Sequence, residues 1–343
     1  MNQVRDQRIG ILGSGSWGTA LAVQFAASDH DVVLWSRDPA FAGELSERRE
    51  NAKYLPGVEF PKSLVSSSDL GAAGECDLVL VVVPSHGFRD TVRAYLEATA
   101  DSSGSDVLIS ATKGVEIETT ARMSEVTAAE AGAAGREVHF AVLSGPTFAV
   151  ELARNAPTAA VVASEEPGLA HRLRERLATS SFRLYSTMDV TGVELGGAAK
   201  NVIAVASGVV SGLGLGHNTV AALITRGLHE MTRLGVACGG DARTFSGLAG
   251  LGDLVLTCTG GLSRNRRTGM ELAAGKSIEE IQAETSMVAE GIRNSRSLSK
   301  LAARQGIEIP ITTEMMRVLY ENKDPREALE ELMSRERKSE HEL

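Results

Sequence analysis

Six residues near the N-terminus constrain the fold of this chain more than any other feature. They read Gly13-Ser14-Gly15-Ser16-Trp17-Gly18, directly after the strand-like run Arg8–Leu12 and at the opening of a helix-like stretch. In a strand–loop–helix unit, the first glycine permits a tight turn and the second lets the backbone approach a pyrophosphate. The third lets helix and strand pack closely, and the helix N-terminus attracts negative charge. Glycines also serve plain turns, but the flanking strand and helix predict a dinucleotide-binding loop.

Short apolar runs alternate with Ala-, Leu- and Glu-rich stretches over the first half of the chain. This alternation builds parallel sheets through βαβ crossovers, so we expect an α/β fold with a Rossmann-like, doubly wound sheet. The run Leu78–Val83 does not alternate with polar residues, which indicates a central strand covered on both faces. The predicted strands are Arg8–Leu12, Asp31–Trp35, Asp77–Val83, Asp106–Ala111, Val138–Leu143, Ala159–Ala163 and Phe182–Tyr185. The predicted helices are Trp17–Ser28, Gly87–Ala98, Thr119–Ala131 and Pro167–Thr179, the last with a start at Ser164–Pro167.

The second half of the chain contains only helical patterns. A length of 343 residues also exceeds that of one ordinary domain. We therefore expect a dinucleotide-binding domain over residues 1–191 and an all-helical substrate and catalytic domain over residues 192–343. The predicted helices of the second domain are Leu195–Gly208, Asn218–Leu234, Ile278–Glu284, Glu290–Gln305, Ile311–Glu321 and Pro325–Arg335.

The charge balance limits the partners of this protein. Lys and Arg number 35 against 44 Asp and Glu, which gives a net charge of −9. The resulting field repels nucleic acid and anionic membrane, so we expect no nucleic-acid partner. Any anionic substrate must then be held by a local cluster of basic residues.

Cysteine usage and hydropathy indicate a cytoplasmic protein. The cysteines Cys76, Cys238 and Cys258 are far apart and form no CxxC pair, so we expect neither a disulfide framework nor a metal site. The polar N-terminal residues leave no room for a signal-peptide core. The longest uninterrupted apolar run, Leu78–Pro84, is too short to span a bilayer, for which about 20 residues are needed, so we expect no membrane insertion.

The end of the second predicted strand bears on the choice of cofactor. An acidic side chain about 20 residues after the glycine loop would accept the ribose hydroxyls of NAD. Here the strand is followed by Ser36-Arg37-Asp38-Pro39. Arg37 either binds the 2′-phosphate of NADP or stacks on adenine, while Asp38 either caps a helix that starts at Pro39 or binds ribose. These residues favour NADPH and leave NAD open.

Two lysines and a basic cluster are the candidates for chemistry. Lys113 follows a buried-looking strand, and Lys200 lies in a helix whose neighbours are small or apolar. Burial and nearby cations would lower the pKa of such a lysine into the acid/base range, unless its ammonium extends into bulk water. Asp253 is a carboxylate candidate that could orient Lys200, although the sequence does not give the distance between them. The three arginines of Ser263–Arg267 either grip a phosphate or form a solvated surface.

Eight motifs stand in order along the chain. They are Ile9–Ala20, Val82–His86, Ala111–Gly114, Leu143–Ala149, Ala199–Val202, Gly250–Cys258, Ser263–Arg267 and Val288–Gly291. Together they resemble the bacterial-type NAD(P)-dependent sn-glycerol-3-phosphate dehydrogenases, from about Ile9 to Arg337. The family pattern accepts tyrosine, phenylalanine or tryptophan at Trp17 and arginine or histidine at Arg37, so this chain shows no departure at either position.

The resemblance implies roles for individual residues. Lys200 matches the family's proton donor and acceptor. The family's substrate-binding residues match Lys113, Gly145, Thr147, Lys200, Asp253, Ser263, Arg264 and Asn265. Its cofactor-binding residues match Ser16, Trp17, Arg37, Lys113, Ala149, Arg264, Val288 and Glu290, in addition to the glycines of the loop.

The activity that the resemblance implies is the reversible reduction of dihydroxyacetone phosphate to sn-glycerol 3-phosphate with NADP or NAD, for glycerophospholipid synthesis. We also expect a homodimer. Two alternatives stay open. A related two-domain dehydrogenase of a hydroxy acid or sugar acid would use the same arginine cluster, because a carboxylate also fits it. A non-catalytic nucleotide-sensing module would need the glycine loop but gives no reason for Lys113, Lys200 and Asp253 together.

Overall fold

The computed structural model describes residues 7–100, 105–284, 289–336 and 339, and it divides into two compact units. The first unit comprises the described residues up to Thr112 together with Met123–Val190. The second comprises Lys113–Arg122 and the described residues from Thr191 onward. Each unit has a hydrophobic core of its own.

The described part of the first unit contains ten strands. They are β1 (Arg8–Leu12), β2 (Asp31–Trp35), β3 (Glu50–Asn51), β4 (Leu55–Glu59), β5 (Leu64–Ser67), β6 (Leu78–Val81), β7 (Val107–Ser110), β8 (His139–Ser144), β9 (Thr158–Ala163) and β10 (Phe182–Thr187). Eight of them form one sheet in the order β10-β9-β8-β7-β6-β1-β2-β5, and β3 pairs with β4. Within the large sheet, β8 and β9 are antiparallel and the other neighbours are parallel. The chain reverses direction across the sheet next to β1, and open sheets bind ligands at such a switch point.

In the described ranges, seven helices connect these strands. They are α1 (Ser16–Ala26), α2 (Pro39–Arg48), α3 (Leu70–Gly74), α4 (Ser85–Ala98), α5 (Met123–Ala133), α6 (Ala149–Ala153) and α7 (Leu169–Leu177). The predicted doubly wound sheet is therefore confirmed. Strand β6 lies between β1 and β7 with all four residues buried, so the prediction of a central strand is also confirmed.

The predicted start of the seventh helix is wrong. Helix α7 begins at Leu169, after Gly168 in the left-handed conformation (φ 80°), and not at Ser164–Pro167. The hydroxyl of Ser164 instead accepts a hydrogen bond from the backbone N–H of Glu166 (3.2 Å) and donates one to the carbonyl of Phe140 (2.7 Å). A serine with acidic residues after it serves such a turn as well as a helix cap, since both satisfy a backbone N–H.

From Val190 onward, the described part of the chain is helical. Its helices are α8 (Val190–Gly212), α9 (Gly216–Ala237), α10 (Ala242–Phe245), α11 (Asp253–Thr259), α12 (Arg264–Ala273), α13 (Ile278–Ala283), α14 (Glu290–Gln305), α15 (Pro310–Tyr320) and α16 (Pro325–Ser334). A π-helical turn, Leu248–Gly252, leads directly into α11. Such turns are rare and occur frequently at functional sites. The predicted helical second half is confirmed.

The segment Lys113–Arg122 belongs to the second unit, whereas the predicted boundary at residue 191 puts it in the first. The reason is burial: Val115 is fully buried in the core of the second unit. The segment is further fixed by an ion pair between Arg122 and the buried Glu194 of α8 (3.0 Å). Because both contacts join residues far apart in sequence, a reading of local patterns does not predict them.

Among the described residues, α8 alone has the length and mean hydropathy of a membrane span, unless the bent pair Ala242–Thr259 and Arg264–Ala273 is counted as one. The apolar stretch of α8 is wholly buried inside the protein. A core helix of a folded protein passes the same test, so one such helix is weak evidence for insertion.

Candidate active site

The glycine loop between β1 and α1 has the geometry that the sequence predicts. Gly13 has φ +127°, and a Cβ atom built on it would lie 2.4 Å from the carbonyl oxygen of Val82. A Cβ on Gly18 would lie 1.9 Å from the carbonyl oxygen of Gly13. On Gly15, by contrast, a Cβ would meet no described atom within 4 Å, which leaves open space above the loop. The first and third glycines thus allow close packing, and the second leaves the backbone accessible.

The residues of this loop fit a dinucleotide. Helix α1 begins at Ser16 with no side-chain cap on its N-terminus, so its first N–H groups can bind a pyrophosphate. The side chain of Trp17 is partly buried against the core, and its indole nitrogen has no hydrogen-bond acceptor among the described residues. Asn51, which is fully buried, donates to the carbonyl of Ser14 (2.9 Å) and to the hydroxyl of Thr19 (2.8 Å), and so holds the loop in place.

Arg37 and Asp38 follow β2, at the sheet edge where β1 also ends, because these strands are parallel. Asp38 caps helix α2, since its carboxylate accepts hydrogen bonds from the N–H groups of Ala40 (3.0 Å) and Phe41 (3.4 Å). The capping interpretation of Asp38 is therefore confirmed. Arg37 is exposed, and its cofactor role stays a prediction.

Three further predicted site residues follow β8 in the first unit. Gly145 has φ +145°, and a Cβ on it would lie 2.9 Å from the Cα atom of Ala160, so only glycine fits. The hydroxyl of Thr147 donates to the carbonyl of Gly145 (3.1 Å), and Ala149 is the first residue of α6. The strand end and the turn after it are thus well defined, and the binding roles of these residues stay predictions.

In the second unit, two lysines share one buried carboxylate. The ammonium of Lys113 lies 2.7 Å from Oδ2 of Asp253, and the ammonium of Lys200 lies 3.0 Å from Oδ1. Asp253 is 1% exposed and Lys200 is 7% exposed. We call these three residues the Lys–Asp–Lys cluster. With both lysines protonated the cluster carries a net positive charge, and each oxygen of its one carboxylate is paired with an ammonium.

Thr257 completes the surroundings of Lys200. Its hydroxyl accepts a hydrogen bond from the Lys200 ammonium (2.8 Å) and donates to the backbone carbonyl of Asp253 (2.6 Å). An ammonium has three hydrogens, and two of those on Lys200 are directed to Thr257 and Asp253. The third has no acceptor among the described residues, so it is available to a ligand.

Burial and charge set the protonation of this cluster. Burial lowers the pKa of Lys200 to about 8, a shift that the nearby Lys113 increases and the carboxylate of Asp253 opposes. Burial acts to raise the pKa of Asp253, but the ammonium groups of Lys113 and Lys200 outweigh it and hold that pKa below its usual value. Asp253 therefore stays ionised, while Lys200 exchanges its proton near neutral pH. The alternative of a lysine that reaches bulk water is excluded.

The basic segment before and within α12 divides into different roles. Ser263 caps the helix, since its hydroxyl accepts from the N–H of Arg266 (3.2 Å). Asn265 is buried and donates to the side-chain carbonyl of Asn201 (2.8 Å), the residue after Lys200. The guanidinium of Arg266 lies 3.3 Å from the hydroxyl of Ser211. Arg264 and Arg267 are both exposed, and neither side chain donates a hydrogen bond to a described residue, so both are available to an anion.

Of the two remaining predicted cofactor residues, Glu290 and Val288, the structure describes Glu290. Glu290 is the first residue of α14, and its charge interacts with that of Arg264. The next residue, Gly291, donates its backbone N–H to the side-chain carbonyl of Asn265 (3.0 Å). Val288 lies outside the described residues. Within the described ranges, no group of three or more His, Cys, Asp or Glu could hold a metal ion.

Comparison with known proteins decides the family. Residues 8–170 match the model of the NAD-dependent glycerol-3-phosphate dehydrogenase N-terminus, and residues 189–330 match that of the C-terminus. This chain belongs to the NAD-dependent glycerol-3-phosphate dehydrogenase family. Members named glycerol-3-phosphate dehydrogenase (NAD(P)+) are 46% identical in Citrifermentans bemidjiense and 47% identical in Nitratidesulfovibrio vulgaris strain DP4. The alignments cover 97% of this chain and 99% and 100% of those relatives.

Solved structures of glycerol-3-phosphate dehydrogenases also resemble this chain. The enzyme from Coxiella burnetii superposes with a TM-score of 0.91 at 41% identity, over 96% of this chain and 99% of that one. A ketopantoate reductase from Ralstonia eutropha shares the fold alone, with a TM-score of 0.57 at 17% identity over 94% and 99% of the two chains. The comparisons therefore favour the glycerol-3-phosphate dehydrogenase assignment over the two alternatives.

The structure brings together only part of the predicted site of this family member. Lys113, Lys200 and Asp253 are in direct contact, whereas Gly145, Thr147 and Ala149 belong to the other unit. Two residues that contact this site had no predicted role, Thr257 and Asn201. Thr257 follows Asp253 by four residues, so a helix places both on one face, and that spacing is a signal that the sequence offered.

Proposed function

We propose that this protein catalyses the NAD(P)-dependent, reversible reduction of dihydroxyacetone phosphate to sn-glycerol 3-phosphate, a precursor for glycerophospholipid synthesis. The observation that carries the proposal is the Lys–Asp–Lys cluster in a member of this family. Related curated proteins carry the same activity in their names. Either NAD or NADP serves as the cofactor, and NADPH is the form that we propose as preferred.

Lys200 is the proposed proton donor. Its third ammonium hydrogen is directed to no described residue and would go to the ketone oxygen of the substrate. When bound at the glycine loop, the cofactor supplies the hydride that reduces the carbonyl carbon. As negative charge develops on the oxygen, the net positive cluster stabilises it, and proton transfer from Lys200 completes the alcohol. In the reverse direction neutral Lys200 accepts the hydroxyl proton.

The substrate phosphate is the proposed ligand of α12. Arg264 is an exposed residue whose guanidinium has a pKa lowered by burial, and the N-terminus of this ten-residue helix attracts negative charge. Asn265 and Ser263 shape the same turn, and Lys113, Gly145 and Thr147 are proposed to hold the rest of the substrate. The glycine loop, Ser16, Trp17, Arg37, Ala149, Val288 and Glu290 are proposed to hold the cofactor, with contributions from Lys113 and Arg264.

A substrate panel tests this proposal against its alternatives. The absorbance of NADPH is followed with dihydroxyacetone phosphate, unphosphorylated dihydroxyacetone, ketopantoate and a set of 2-keto acids. We expect the phosphorylated ketone to be reduced with the highest kcat/KM. A higher kcat/KM on a keto acid would favour the hydroxy-acid dehydrogenase. Tight cofactor binding without turnover on any ketone would favour the nucleotide-sensing module.

We expect opposite pH dependences in the two directions of the reaction. Because Lys200 has a pKa of about 8, kcat for reduction should be level below that pH and fall about tenfold per unit above it. The kcat for oxidation should rise with pH up to about 8 and then level off, since it needs neutral Lys200. Measuring kcat at saturating substrate avoids the titration of the substrate phosphate near pH 6. Profiles of the same shape in both directions would contradict the acid/base role.

Arg37 should decide the choice between the two cofactors. Its charge-assisted hydrogen bonds to the 2′-phosphate should be worth about 1.5–3 kcal/mol, or roughly 10–150-fold in affinity. Arg37→Ala should therefore raise KM for NADPH by such a factor and leave KM for NADH nearly unchanged. Arg48→Ala is a matched control, because Arg48 is an exposed arginine at the end of α2. Parallel losses for both cofactors would show that Arg37 stacks on adenine instead.

A second copy of this chain in the cytoplasm is the proposed macromolecular partner. Several large apolar side chains of the second unit are exposed, among them Val236 (48%), Val255 (41%) and Leu262 (52%). Burial of such side chains drives protein association. The molar mass in solution tests this proposal. We expect the mass of a dimer, and the mass of a monomer at all protein concentrations would contradict the proposal.

A further inference from the structure

Asn294, in the first half of α14, joins two distant parts of the second unit. Its side chain is fully buried. Its amide nitrogen donates to the backbone carbonyl of Lys113 (3.1 Å) and to that of Ala198 (3.0 Å). The side-chain oxygen has no hydrogen-bond partner among the described residues. The hydrogen bonds of this side chain therefore go to those two carbonyls, and a buried donor of this kind is costly to remove.

Both carbonyls belong to residues next to the proposed chemistry. Lys113 is one end of the Lys–Asp–Lys cluster, and Ala198 lies two residues before Lys200 on α8. The amide of Asn294 thus fixes the backbone of one lysine relative to the helix that carries the other. The amide of Asn201 approaches the same Lys113 carbonyl at 3.5 Å, which is a weak contact by comparison.

Helix α14 holds the rest of the segment Lys113–Arg122 as well. The ammonium of Lys300 donates to the carbonyl of Ile117 (3.3 Å), and Arg304 donates to the carbonyl of Thr119 (2.8 Å). At its N-terminal end, α14 packs closely on α8, because a Cβ on Gly291 would lie 2.5 Å from the carbonyl of Asn201. Of these three side chains of α14, Asn294 is the one that donates to the backbone of Lys113.

We propose that Asn294 is a positioning residue that holds the backbone of Lys113 so that its ammonium pairs with Asp253 beside Lys200. The proposal rests on the proposed function, in which Lys200 transfers the proton. Asn294 touches none of the reacting groups in this account and acts through Lys113.

Loss of the Asn294 hydrogen bonds should shift the pKa of Lys200 in one direction. Lys200 is faced by Lys113, by Asp253 and Thr257 of α11, and by the thiol of Cys258. The charge of Lys113 lowers the pKa of Lys200, and the carboxylate of Asp253 raises it. If Lys113 moves away, its charge no longer lowers the pKa of Lys200. The carboxylate of Asp253 then pairs with Lys200 only, which also raises that pKa. A merely structural defect would lower activity without that shift.

The test compares Asn294→Leu, which keeps the size of the side chain, with Asn294→Ala, which removes bulk and donor together. The matched control is Ser295→Ala, because Ser295 is equally buried and its hydroxyl donates only within α14, to the carbonyl of Ile292 (2.7 Å). Thermal unfolding first establishes that each variant is folded. If Asn294→Leu does not fold, the kinetics of Asn294→Ala test the positioning role.

We expect kcat/KM for dihydroxyacetone phosphate to fall about tenfold in the Asn294 variants, with KM for NADPH nearly unchanged. The falling limb of kcat for reduction should move to higher pH, and Ser295→Ala should leave it in place. A folded Asn294 variant with the wild-type pH profile would overturn the positioning role. Failure of the wild-type protein to reduce the ketone would instead overturn the proposed function, so the two outcomes are distinct.

Discussion

Replacing Lys200 by methionine is expected to lower kcat for reduction of dihydroxyacetone phosphate by roughly 10²–10⁴-fold, the usual contribution of a positioned acid or base. Methionine has nearly the length of lysine and no proton to give. The fold should survive, because Asp253 keeps its ion pair with Lys113 at 2.7 Å. The dissociation constant for NADPH should stay the same, since Lys200 is not among the residues proposed to hold the cofactor.

The measurement pairs steady-state kinetics with cofactor titration by fluorescence. Lys276→Met serves as the control, because Lys276 is an exposed lysine of the same unit whose ammonium pairs with Glu284. The control should keep the wild-type kcat. A Lys200→Met enzyme with wild-type kcat would remove Lys200 from the mechanism.

Replacing Arg264 by alanine is expected to separate phosphorylated from unphosphorylated substrate. Charge-assisted hydrogen bonds to the phosphate should be worth about 1.5–3 kcal/mol, so kcat/KM for dihydroxyacetone phosphate should fall by roughly 10–150-fold. Unphosphorylated dihydroxyacetone lacks the group that Arg264 is proposed to bind. We expect its kcat/KM to be low in the wild type and to change little in the variant.

Arg267 provides the matched control for this variant. It is an exposed arginine three residues further along α12, and the proposed phosphate site does not include it. Arg267→Ala should leave the ratio of the two kcat/KM values near that of the wild type. Equal losses on both substrates in Arg264→Ala would mean that Arg264 serves the cofactor or the fold instead.

The sequence predicts several elements of this protein to the residue because their patterns are local. Strands β1 and β2 and helix α14 have the predicted bounds, since each has a strong apolar pattern and clear flanking residues. The longest helix, α8, extends beyond the predicted Leu195–Gly208 at both ends. Some short elements carry too little pattern to predict. Strand β3 has two residues, and β4 contains both proline and glycine.

Long-range contacts are what the sequence does not predict. The segment Lys113–Arg122 lies in the chain between two strands of the first unit and packs in the core of the second. Local spacing predicts a helix from Thr119, whereas α5 begins at Met123 after the segment has joined the second unit. Tertiary burial therefore overrides the local helical pattern here.

In the candidate site too, local features can be predicted from the sequence and long-range contacts cannot. Lysines in unusual settings, such as Lys113 and Lys200, are recognisable because a charged residue among apolar neighbours needs a partner. The partner of both is Asp253, and the distances that make it so come only from the structure. Asn294 gives no signal in the sequence, because a polar residue in a helix is ordinarily solvated and its contacts with Lys113 and Ala198 depend on how distant segments pack.

The stereochemistry of the oxidation reaction tests the account most directly. Initial rates of NADPH formation are measured with NADP+ and either sn-glycerol 3-phosphate or its enantiomer, sn-glycerol 1-phosphate, at matched concentrations above pH 8. The account predicts rapid oxidation of sn-glycerol 3-phosphate, little or none of the enantiomer, and loss of the reaction in Lys200→Met. Equal or faster oxidation of the enantiomer, or no oxidation of either compound, would contradict it.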